Sequence, residues 1–314
     1  MTFHFMSAIQ IPIHIFGTYF VIEKTPKSME NVKFSMLLVH FTSVLFDIEM
    51  SIFAIPIIIF PITSGYPLGV WYYMGVPTWL MTYTVLTTLT SLGPAIVMFF
   101  ENQYNYLVRV DSETQSRKIK RAFHYFINYF LSFTTCVPPF FLLPTSEEAR
   151  HIAREKLPCL PSRIVDNLRL FMLGSEKLLG TCIAIFLIIS WAQVILLFFG
   201  TAQYLFKAKI MSRQTSRLQK QFFKAICLQI TIPFIVITIP AVHVVSTIFT
   251  GNLDLVYSQL SVIVTTTHGL CLTLIVLGIH KPYRDETMKI LTCKNVTFAK
   301  PSHFLSNSRV HNYK

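Results

Sequence analysis

The chain has 314 residues, 53% of them hydrophobic and 13% charged, with a formal net charge of +12. Soluble domains carry charge on about a quarter of their residues, so this composition excludes a cytosolic globular domain, a disordered chain and a disulfide-stapled secreted fold. The charges also cluster: no Asp, Glu, Lys or Arg occurs in 1–22, 50–100, 122–146, 178–206, 225–253 or 255–280, and one membrane-crossing helix needs about 20 mostly apolar residues.

Taken in chain order, the first span is 3–22. It has no basic n-region, and no small-residue cleavage site precedes Glu23, so it reads as a helix and not as a signal peptide. The next two are 34–60 and 76–100, separated where Thr63-Ser64-Gly65-Tyr66-Pro67-Leu68-Gly69 breaks the apolar run with turn residues. Spans at 122–144, 178–206, 225–250 and 256–279 complete the set. The expected fold is an all-α membrane protein, a seven-transmembrane helix bundle over 1–290, with a disordered tail at 291–314. Twenty-one of the 27 Lys and Arg fall in 23–33, 101–121, 207–224 and the tail from His280, and the other six fall in 145–177 beside five acids. By the positive-inside rule this places the N-terminus outside and the C-terminus in the cytosol. The basicity is therefore that of a protein in a lipid bilayer, and no nucleic-acid partner is expected. The sequon at Asn295 lies in the cytosolic tail and should stay unglycosylated. Cys159 is the lone cysteine of 145–177, and no disulfide is expected for it.

Polar residues inside the spans are costly and usually face the bundle interior. Asp47 and Glu49 are the acids there; two residues apart on a helix is about 200° of rotation, so both cannot face one site. Asp47 reads either as an interior polar or ion-binding group or as a carboxyl hydrogen-bonded to a neighbouring hydroxyl. His40, His243 and His268 show no metal-ligand spacing; core packing is the plain reading, and His243 and His268 are the possible ligand-pocket residues. Pro12, Pro56, Pro94, Pro138, Pro139, Pro233 and Pro240 are kinks that membrane helices tolerate. No Gly-rich phosphate loop, H-E-x-x-H or G-x-S-x-G occurs, so no enzyme, catalytic residue, cofactor or metal is expected. No half-to-half similarity suggests a transporter repeat, whereas the basic loop from Lys207 to Lys220 fits a signalling receptor.

Specific strings add to this. Ile11-Pro-Ile-His-Ile-Phe-Gly17, Lys24-Thr-Pro-Lys27, Gly65-Tyr-Pro-Leu-Gly69, Phe100-Glu-Asn-Gln-Tyr104, Lys156-Leu-Pro-Cys-Leu-Pro161 and His280-Lys-Pro-Tyr-Arg284 stand in the order in which they resemble the nematode serpentine chemoreceptors of class h. The resemblance implies a G-protein-coupled chemosensory receptor for a small odorant- or pheromone-like molecule, in the plasma membrane of chemosensory neurons and specifically their cilia. It implies a heterotrimeric G protein as partner, met by an inner face that includes Glu101, Asn102, Gln103, Tyr104, Arg213, Arg217, Lys220, Lys281 and Arg284. The family commonly has Arg where this chain has Gln103. That amide cannot supply a charge or a bidentate fork and is expected to disfavour the coupled state. A ligand-gated channel or transporter on the same bundle, and a family member that does not signal, remain as alternatives at this stage.

Overall fold

A computed structural model describes residues 2–25, 30–159, 161–165, 170–207, 228, 231–232, 234–252, 254–279 and 281–292. In chain order these form α1 (Thr2–Glu23), α2 (Glu30–Ile48), β1 (Pro56–Ile59), β2 (Ser64–Pro67), α3 (Val70–Tyr73), α4 (Thr78–Val108), α5 (Gln115–Thr134), α6 (Ser146–Lys156), α7 (Ser162–Val165), β3 (Phe171–Met172) and α8 (Glu176–Lys207). After a π turn at Phe234–Thr238 come α9 (Ile239–Thr250), α10 (Leu255–Thr265), α11 (His268–Ile279) and α12 (Lys281–Leu291).

The long α4 is the central post. It packs along α2, α5 and α8, and its middle is made of small residues that let neighbours approach closely. Gly93 shows how closely: a Cβ there would stand 3.1 Å from the Phe186 ring of α8. Several hydroxyls of α4 are satisfied by the helix itself, whereas the buried Thr87 hydroxyl has no partner among the described residues. Thr82, Thr84, Thr88 and Ser91 donate to the carbonyls of Thr78, Leu80, Thr84 and Thr87 on their own helix at 2.7–3.0 Å. The main core joins Phe20 of α1, Met36 and Val39 of α2, Ala95, Ile96, Val97, Phe99 and Phe100 of α4, Val194 of α8 and Leu272 of α11. Outward-facing Ile188, Leu196 and Phe199 of α8 are exposed, as befits side chains against lipid tails.

Among the described residues, five helices are long and apolar enough to cross a membrane: α1, α2 with its extension to Phe53, α4, α8, and α10 with α11. A sixth is reached only if the run from Gln115 through Lys156, bent by 90°, counts as one span, and Ile235–Thr250 is a shorter apolar helix. The differences from the expected spans have local causes. The span expected over 34–60 stops early: Glu49–Phe53 is a wider π turn, Ile55 has a φ of +42°, and Pro56 disfavours helix in the residue before it. The β-branched Ile57, Ile58 and Ile59 then form a strand. The span expected over 122–144 is helical to Thr134, after which Pro138 and Pro139 open a short 3-10 turn. The third helix runs on past residue 100 to Val108 and so carries Glu101 within it. Thr266 and Thr267 interrupt the last span between α10 and α11. Within the span expected at 225–250, the stretch 225–227 lies outside the described residues, as does 293–314 of the expected tail.

One end of the bundle carries a cap built from the end of the expected 34–60 helix and from stretches that the sequence reading leaves as loops. Strands β1, β2 and β3 form an antiparallel sheet in that order, with Pro56 opposite Pro67, Ile59 opposite Ser64, and Ser64 opposite Met172. Gly65 is required in β2, since a Cβ would lie 2.3 Å from the Ile57 carbonyl oxygen. A small core of Ile59, Ile62, Ala149, Ala153, Leu157 and Met172 joins the sheet to α6. That helix starts at a capping box in which Thr145 and Glu148 satisfy each other's backbone N–H groups. Cys159 is exposed and free.

Candidate functional site

Three places in the bundle combine burial with chemistry. At the sheet end, an apolar cavity of about 120 Å³ lies between the β1–β2 hairpin, the first turns of α4, Phe171 of β3 and Leu179 of α8. A second cavity of about 70 Å³ continues along α4 and α8, lined by Leu89, Gly93, Phe186, Ser190, Trp191 and Ile237 among others. Leu86 belongs to both walls. His243 and His268 line neither. His243 sits against the Tyr257 ring at 6.1 Å, and His268 is fully buried, with neither ring nitrogen partnered among the described residues. The larger cavity is thus lined by α4, α8 and the strands of the cap.

In the middle, a buried polar cluster links α1, α2 and α11. His14 Nε2 lies 3.0 Å from Asp47 Oδ2, and its Nδ1 lies 3.2 Å from Thr273 Oγ1. Thr18 Oγ1 is 2.9 Å from His40 Nε2. Asp47 reaches the first turn of α11, where a Cβ on Gly269 would stand 2.5 Å from Oδ2. Glu49, also buried, turns to the other side and lies against Thr88 of α4, as the 200° rotation requires. Asp47 is therefore an interior polar group whose partner is an imidazole, and no group of three or more His, Cys, Asp or Glu among the described residues could hold a metal ion.

At the far end, 23 residues along α4 from Thr78 and roughly 35 Å away at 1.5 Å per residue, Glu101 is clasped by α5. Arg117 Nη2 donates to Oε1 at 2.7 Å and Arg121 Nε donates to Oε2 at 2.8 Å. The Tyr125 hydroxyl also donates to Oε2. Arg117 Nε reaches Asn105 Oδ1 at 3.0 Å, and Arg121 Nη2 reaches Asn102 Oδ1 at 2.8 Å. Asn102 in turn donates to the Asn31 carbonyl of α2 at 2.7 Å. The three arginine-clasp residues stand at i, i+4 and i+8 on one face of α5, whose N-cap is Thr114. Glu101 is 4% exposed and Gln103 2%; Gln103 Oε1 has no partner among the described residues. Tyr104 packs on α8, where a Cβ on Gly200 would lie 2.8 Å from its ring.

Of the other residues expected on this face, Arg284 is exposed on α12 beside Asp285 at 3.9 Å, and Lys281 begins that helix. Arg213, Arg217 and Lys220 lie outside the described residues. The residues that sequence reasoning passed over are His14, Arg117, Arg121 and Tyr125. The i, i+4, i+8 spacing of Arg117, Arg121 and Tyr125 was the available signal for the last three.

The family model described as serpentine type 7TM GPCR chemoreceptor Srh matches residues 1–293. "Serpentine receptor class H-72" of Caenorhabditis elegans is 22% identical over 281 residues, covering 88% of this chain and 80% of that protein. The helices, the cap and the clasp are thus those of a multi-pass membrane protein, and the chain belongs to the Srh family of serpentine seven-transmembrane chemoreceptors, a family of receptors and not of enzymes.

Proposed function

We propose that the chain is a G-protein-coupled chemosensory receptor of the plasma membrane, at the cilia of chemosensory neurons, with its N-terminus outside. A small molecule enters at the sheet end and occupies the apolar cavity against α4 and α8. A heterotrimeric G protein meets the opposite end, at Glu101 to Tyr104, the basic loop carrying Arg213, Arg217 and Lys220, and the start of α12 with Lys281 and Arg284. The observation that carries this reading is that one helix, α4, lines the cavity at one end and holds the clasped Glu101 at the other. A ligand can only shift a two-state bundle by its differential affinity for the two states. Movement of α4 or α8 around the ligand changes the seat of Glu101, and with it the hold on α5.

The test has two parts. A tag on the N-terminus should be labelled on intact cells, whereas one on the C-terminus should require permeabilisation. A small-molecule screen should then give G-protein activation that depends on the receptor. An agonist-evoked current in cells lacking G-protein signalling would instead favour a channel.

A further inference from the structure

The cavity at the sheet end also carries information about what fills it. Among the described residues, neither it nor its neighbour has a charged side chain in its wall. Burying an unpaired ion is very costly, so the site rejects carboxylates and ammonium ions. Three of the seven hydroxyls in the two walls are engaged within the protein. Ser64 Oγ donates to the Phe171 carbonyl at 3.1 Å, Thr82 Oγ1 to the Thr78 carbonyl at 2.9 Å, and Thr90 Oγ1 to the Ser132 carbonyl at 2.9 Å.

Thr63 differs. It lines the larger cavity, and its hydroxyl is buried with no partner among the described residues. Its φ is +46°, a left-handed conformation that a β-branched residue seldom adopts. The position is held, not loose, because the Thr63 carbonyl accepts the Leu173 N–H at 3.2 Å. Strained backbone of this kind gathers at ligand clamps, and an orphan buried hydroxyl calls for a partner. Rotation about χ1 exchanges its hydroxyl and methyl positions, and the hydroxyl can donate or accept.

Size narrows the class further. An apolar cavity of about 150 Å³ holds a benzene-sized guest; the 120 Å³ here suits roughly five non-hydrogen atoms, and roughly seven or eight if a short tail also uses the adjoining 70 Å³.

We propose that the ligand is a small, uncharged, largely aliphatic molecule with one hydrogen-bonding oxygen, and that Thr63 is the residue that hydrogen-bonds it. This rests on the sheet-end cavity being the ligand site, as in the function proposed above.

The test measures direct binding to the purified receptor in nanodiscs, with no G protein present, using hexane, 2-hexanone, hexanoate and hexylammonium. One net hydrogen bond makes 2-hexanone about two- to tenfold tighter than hexane, while both ions fail to saturate the site. Thr63→Val should erase the preference for 2-hexanone and leave hexane affinity within about twofold, the sign of an intact cavity; Thr63→Ser should keep the preference. If the valine variant loses hexane as well, the serine variant and the charged probes decide. Ions that bind as tightly as 2-hexanone, a preference that survives Thr63→Val in a receptor that still binds hexane, a preference lost in Thr63→Ser, or no binding of either neutral probe would each overturn the proposal. Because the readout is binding, neutral ligands that bind without activating a G protein would count against the receptor reading and not against this one. Activation by an ion alone would do the reverse.

Discussion

Replacing Glu101 by Gln keeps the side-chain shape and removes the charge on which the α4–α5 junction closes. The wild-type carboxylate is 5% exposed and its two arginines are 19% exposed, so solvent screens the contact only in part. Hydrogen bonds to a charged group are worth about 1.5–3 kcal/mol and neutral ones about 0.5–1.5 kcal/mol. The substitution therefore costs about 1 kcal/mol for each arginine, or ~2 kcal/mol for the pair, before repulsion between the two unneutralised guanidiniums is added. At 1.4 kcal/mol per tenfold, the ratio of released to clasped receptor rises about thirtyfold. If the clasp holds the resting arrangement, ligand-free G-protein activation should rise at matched surface expression. A double-mutant cycle with Arg117→Gln, read by thermal unfolding of the purified receptor, should show a coupling of at least ~1 kcal/mol. Unchanged basal activity in a receptor of normal expression would refute the clasp as a restraint. Strictly additive losses in the cycle would refute the pairing itself.

Other substitutions probe the interior and the loop. Gly269→Ala drives a methyl to within 2.5 Å of Asp47 Oδ2 and 3.1 Å of the Ser43 carbonyl oxygen; with Asp47 pinned by His14, this should lower stability by about 1–3 kcal/mol, measurable as a reduced unfolding temperature, and an unchanged temperature would show that α11 yields. Neutralising Arg213, Arg217 and Lys220 together should weaken G-protein activation while leaving ligand binding nearly intact, since such cations act at the anionic inner leaflet and the partner. Equal loss of binding would assign the loop a role in holding the fold.

The membrane class was legible because uncharged runs of about 20 residues have no other use, and the separation of Asp47 from Glu49 followed from helix geometry alone. The hairpin was half legible. Turn residues at 63–69 marked a break, but that Ile57 to Ile59 would pair with Ser64 to Tyr66, and these with β3 more than a hundred residues on, depends on tertiary contact. The partner of Glu101 was not legible for a related reason. Position 103 lies two residues away on the same helix, where pairing is geometrically poor. The cations come instead from Arg117 and Arg121, across a turn that folds α5 back on α4. Where the family commonly has Arg this chain has Gln103, and the charges that meet Glu101 sit one connection later. His14 was likewise quoted only as part of a string, since nothing in sequence brings it to Asp47, 33 residues on.

The contacts between α1 and the end of the chain bear on how the molecule is made. Gln10 Nε2 donates to the Thr266 carbonyl at 2.6 Å across 256 residues, exactly where the last span is interrupted, and Thr25 Oγ1 meets the Tyr283 hydroxyl at 2.7 Å. A ribosome adding about 5–20 residues per second takes roughly 10–50 s to cover that distance. During that interval α1 sits in the membrane with the amide of Gln10 unmatched, while the helices between are inserted. The opened carbonyl at Thr266 is made 256 residues later and meets a donor that is already in place. The bundle is therefore completed only when α11 and α12 reach α1, so late-made segments close on the earliest-made helix.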